Sequence, residues 1–61
     1  MGARTKDQIR NDIASLQGII ASQKAQVANT TDKNAKARIR DMIAYNQGRL
    51  AKLKAELKNA K

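Results

Sequence analysis

Residues 29–34 read NTTDKN, and this stretch decides the fold. It is a loop-like cluster between two long segments rich in Ala, Ile, Leu, Lys and Gln. Asn, Thr and Asp side chains compete for nearby backbone hydrogen bonds, so they favour turns and helix caps over helix interiors. Thr31 or Asp32 can cap a helix that follows. The chain either bends here into a hairpin or runs through as one long helix.

The apolar spacing separates these alternatives. Large apolar residues fall at Ile9, Ile13, Leu16, Ile20 and Val27 in the first segment. In the second they fall at Ile39, Ile43, Leu50, Leu53 and Leu57. The alternating steps of four and three are those of a heptad seam, interrupted by Gln23 in one segment and Asn46 in the other. Continued by sevens from Ile9, the first seam passes Leu16 and Gln23 and arrives at Thr30, Ala37 and Ala44, missing Ile39. A turn over residues 30–33 removes the mismatch. The expected fold is all-α: a coiled-coil-like, antiparallel two-helix hairpin with helices over 6–29 and 34–60, in a single domain of residues 1–61. Arms of about 25 residues would run about 37 Å. Thr5 with Gln8 three residues on has the spacing of a capping box and marks the first helix start.

The two helices read as copies of one another. Shifted by 30 residues, positions 6–29 and 36–59 agree at 11 of 24 places, including the Ile-Arg and Gln-Gly dipeptides. We read this as an internal duplication. A chain of 61 residues without Cys, His, Pro, Trp or Phe has neither a disulfide nor a zinc staple. Domains of this size usually need such a staple or a partner. The hairpin is therefore expected to complete a larger helical bundle by self-association or docking.

Both copies carry a glycine in mid-helix, Gly18 and Gly48, where Gly costs roughly 0.5–1 kcal/mol relative to Ala. With Ile9 and Ile39 labelled d, both glycines are f, away from the seam. They continue stripes of small residues at b and f: Ala14, Gly18, Ala21, Ala25 and Ala28, then Ala37, Ala44, Gly48, Ala51 and Ala55. Such a stripe lets another helix approach closely. Gly18, Gly48, Ala21 and Ala51, with Ile19 and Met42 on the g line, are the candidate helix-packing interface. The plainer alternative is that exposed Ala is simply a good helix former.

The net charge is +8, from 13 Lys and Arg against 5 Asp and Glu. Residues 31–61 hold nine of the cations. The e positions are Arg10, Gln17, Lys24, Arg40, Gln47, Lys54 and Lys61, so every charge on that edge is positive. An anion laid along the edge would relieve the repulsion. A second cluster, Lys33, Lys36, Arg38 and Arg40, follows the turn near the positive end of a helix dipole, where cations are mildly unfavourable without an anion. The candidate anion or nucleic-acid contacts are Arg10, Lys24, Lys36, Arg38, Arg40 and Lys54. Lys and Arg stripes are also common as plain solvated faces.

Catalysis finds no support in the sequence, and an enzyme is not expected. His and Cys are absent, the five acids are scattered, and no metal-ligand spacing appears, so no cofactor, metal or small-molecule substrate is expected. No apolar run approaches the roughly 20 residues of a membrane span, and no secretory h-region is visible. Lys6 stands where a myristoylation signal wants Ser or Thr. The expected location is cytoplasmic. The leading functional expectation is a non-catalytic assembly or docking protein, partnered by itself or by a larger complex, with a basic edge toward an acidic partner. The alternative is a small RNA- or DNA-binding protein gripping the phosphate backbone with little sequence preference. It would do so without an aromatic platform, since Tyr45 is the sole aromatic residue.

Overall fold

The computed structural model describes residues 4–60; residues 1–3 and the e-line Lys61 lie outside the described residues. Two helices account for nearly all of them: α1, Lys6–Ala28, and α2, Lys33–Asn59. Thr5 opens α1 with a complete capping box. Its hydroxyl accepts from the Gln8 backbone N–H at 3.1 Å, and the Gln8 side chain accepts from the Thr5 N–H at 2.9 Å. Each bond satisfies a donor that the first helical turn would otherwise leave free.

The NTTDKN stretch is the turn. The Asn29 N–H donates to the carbonyls of Ala25 and Gln26, and the Thr30 hydroxyl donates to the Gln26 carbonyl at 2.6 Å. These bonds close the end of α1 without a left-handed residue, and no described residue has positive φ. Of the two possible caps for α2, Asp32 takes the role, accepting from the Ala35 N–H at 2.8 Å. The second helix accordingly begins at Lys33. So short a link leaves α2 no course except back along α1, and the contacts confirm it: mid-helix Gln23 touches mid-helix Asn46, and Arg4 touches Glu56. The result is an antiparallel hairpin of 45 × 19 × 14 Å.

The seam residues pack where the heptad spacing puts them. Leu16, Ile20 and Ile43 form the buried centre, with Val27, Ile39, Leu50 and Leu53 packed against it. Ile9, only 1% exposed, is buried toward the open end. The two polar interruptions of the seam are buried as well, and they meet. The Asn46 Nδ2 donates to the Gln23 Oε1 at 3.0 Å. In the 30-residue repeat, Gln23 corresponds to Leu53 and Asn46 to Leu16. Leu16 and Leu53 belong to one apolar cluster. Exchanging the helices therefore carries the amide pair onto a leucine pair, whereas the flanking seam positions Ile9/Ile39, Ile13/Ile43, Ile20/Leu50 and Val27/Leu57 exchange aliphatic for aliphatic.

Asn46→Leu would strand the Gln23 amide among apolar side chains, and we expect a loss of about 1–3 kcal/mol. Adding Gln23→Leu removes the orphan, so the double variant should return to wild-type stability or exceed it. Urea unfolding midpoints decide the matter. A single variant no less stable than the double would mean that solvent already satisfies Gln23.

Candidate interaction surfaces

One helix thick and two helices wide, the slab has two broad faces, and the heptad places different chemistry on each. The e and b lines of both helices share one face. Here Arg10, Gln17, Lys24, Arg40, Gln47 and Lys54 stand beside Ala14, Ala21, Ala28, Ala37, Ala44 and Ala51, all exposed. Gln17, Ala21 and Lys24 of α1 line a shallow groove with Gln47 of α2, over Ile20 and Leu50. Lys24 thus shares its groove with two amides rather than with another cation, which relaxes the repulsion expected along this edge. Arg10 is held by Asp7 at 3.2 Å, one helical turn away. Lys24, Arg40 and Lys54 make no ion pair with another described residue.

The six candidate anion contacts do not gather into one cluster. Arg10, Lys24, Arg40 and Lys54 are spread along the e edge. Lys36 is half-buried at a seam position next to the turn, and Arg38 sits on the c line, toward the opposite face. The N-terminus of α2 already holds an anion of its own, because the Asp32 carboxylate occupies the first-turn N–H of Ala35. An external phosphate there would have to displace it.

The second face is built from the g and c lines. Asp12, Ser15 and Ile19 of α1 and Arg49, Lys52 and Glu56 of α2 line a groove floored by Leu16 and Leu53. Arg4 closes its outer end. The guanidinium pairs with Asp12 through Nη1 and with Glu56 through Nη2, and its Nε donates to Glu56 Oε2 at 3.2 Å. The turn ties the helices at one end and this clasp ties them at the other. The Glu56 hydrogen bond, then the Glu56 and Asp12 charges, push the Arg4 pKa up against an opposing effect of burial. Arg4 therefore stays cationic throughout the working pH range.

The exposed large apolar side chains lie on this same face: Ile19 at 48%, Met42 at 52% and Tyr45 at 70% exposure. Met42 and Tyr45 flank a shallow depression with Asp41 and Asn46. Arg4 could not be found from the sequence. It precedes the helix cap, so no periodicity points to it, and its two carboxylates become neighbours only through the hairpin register.

The small-residue stripes face outward. A Cβ built on Gly18 or Gly48 meets nothing within 4 Å, and Ala21 and Ala51 are exposed. No close approach inside the hairpin requires either glycine.

Among the described residues, no group of three or more His, Cys, Asp or Glu side chains could hold a metal ion, and no helix is long and apolar enough to cross a membrane. Compared with protein-family models, curated proteins and solved structures, the chain matches none.

Because both glycine sites are open, Gly18→Ala and Gly48→Ala should each stabilise the hairpin by about 0.5–1 kcal/mol, through backbone entropy alone. Thermal and urea unfolding read this directly. A loss of stability at either position would reveal a close neighbour there.

Proposed function

We propose that this protein is a non-catalytic assembly or docking module. It self-associates or packs on a larger complex through a helical face, and it turns its basic edge toward an acidic partner. The supporting observation is the separation of chemistry between the two faces. Ile19, Met42 and Tyr45 are exposed together on the face whose outer end carries the Arg4–Asp12–Glu56 clasp. Covering that apolar surface is favourable at roughly 25 cal/mol per Å². A chain this small gains more from such covering than a large domain would, since its own core is only one seam deep.

A second reading is favoured by the opposite face. Its only acid on the e and b lines is Asp7, which Arg10 already engages. Lys24, Arg40 and Lys54 therefore present uncompensated charge, suited to the regular phosphates of a nucleic-acid duplex. Such binding would be read by charge spacing and would weaken steeply with salt.

Two measurements test these readings. Native size in a cell extract addresses the first: the wild-type chain should elute well above its 6.7 kDa mass. The Ile19→Asp/Met42→Asp variant should shift to the position of a lone hairpin while circular dichroism stays helical. Equal elution of both as a single small species would contradict the assembly reading. The second is fluorescence anisotropy with labelled RNA and DNA duplexes. Lys24→Glu/Arg40→Glu should weaken binding by more than tenfold at low salt and flatten its salt slope by about two. An effect no larger than that of reversing Lys33 would reduce the interaction to general basicity.

A further inference from the structure

We propose that the occupant of the Ile19–Met42–Tyr45 face is a second copy of this chain, laid across it antiparallel with the two turns at opposite ends. This rests on the assembly reading above and names its partner.

The g and c lines of α2 form a second run of alternating four- and three-residue steps: Arg38, Met42, Tyr45, Arg49, Lys52 and Glu56. This is a heptad seam in spacing, although its residues are amphipathic. An antiparallel pair of such seams related by a twofold axis near Gln47 pairs each residue with one at the mirrored position. Arg38 then lies over Glu56 of the other copy, Met42 over Lys52, and Tyr45 over Arg49. Each pairing is complementary. The first joins opposite charges. The second lays a thioether on a lysine's aliphatic stem. The third sets a guanidinium against an aromatic ring. No like charges are opposed along the seam.

The alternative twofold, with both turns at the same end, lacks this property. It sets the Arg4–Asp12–Glu56 cluster, which carries one net negative charge, against its own copy. In the opposite-end arrangement that cluster lies over Arg38 instead. On α1 the axis passes near Ser22, a small residue that allows the copies to approach, and Ile19 is close to the centre. The available area is also sufficient. A 45 × 19 Å face offers about 850 Å², against the roughly 800 Å² per partner of a stable specific interface.

The experiment is sedimentation equilibrium of the purified full chain, with circular dichroism as the check on folding. The wild type should be a dimer. Arg38→Glu and Glu56→Arg should each raise the dimer Kd by roughly tenfold or more, because each opposes like charges at two symmetric places. The double variant Arg38→Glu/Glu56→Arg restores the pairing between copies and should bind more tightly than the Glu56→Arg variant alone, which shares its loss of the Arg4 clasp. Crosslinking gives a check independent of the Arg4 clasp. The described chain contains no cysteine, so Ser22→Cys should oxidise readily to a linked dimer, and Ser15→Cys should not. A dimer whose Kd ignores the Arg38→Glu reversal, or that links through Ser15→Cys and not through Ser22→Cys, overturns the antiparallel arrangement and leaves the assembly reading standing. A purified monomer at millimolar concentration overturns the second copy as partner. The assembly reading is then decided separately by the native size in extract.

Discussion

A side-chain amide buried without a partner costs roughly 1–3 kcal/mol, and this hairpin buries two, Gln23 and Asn46, against each other. Every other seam position holds Ile, Leu or Val near the centre, and such residues pack acceptably in more than one register. Sliding α2 by a heptad in either direction would part the two amides and set Gln23 against Ile39 or Leu53. The amide pair thus specifies the register that the aliphatic residues leave open, the role best attested for a single polar layer in a helical seam.

Part of the surface follows from that register. It brings Asp12 and Glu56 within reach of one guanidinium, so the open end is clasped by Arg4. It sets Lys24 in a groove with Gln17 and Gln47. The heptad lines, independently of that register, collect Ile19, Met42 and Tyr45 on one face, away from the alanines of the other. A shift of one turn would part Glu56 from Arg4 and Gln47 from Lys24. The separation into a face that carries the exposed apolar side chains beside mixed charges and a basic, alanine-lined one is what supports a module for assembly.

The glycines and the α2 terminus show how local signals divide between structure and surface. Gly18 and Gly48 suggest close helix approach, yet the hairpin gives them open space, so whatever they admit must come from outside it. The cations after the turn suggest an anion site, yet Asp32 already places a carboxylate at the start of α2. In both cases residue type was silent about what else in the chain would meet it.

What the sequence determined by itself is local and periodic. The capping box at Thr5 and Gln8, the turn chemistry of NTTDKN, the heptad steps and their break in phase lead to two helices folded back on each other. Each of these depends on residues within a few positions of one another, so it can be read without coordinates. The tertiary structure alone decided the pairing across the hairpin: that Gln23 and Asn46 satisfy one another, and that Arg4 joins Asp12 to Glu56. These contacts span up to 52 positions along the chain. They depend on how far one helix slides past the other, which the short turn, the buried amide pair and the Arg4 clasp fix together and no local spacing encodes.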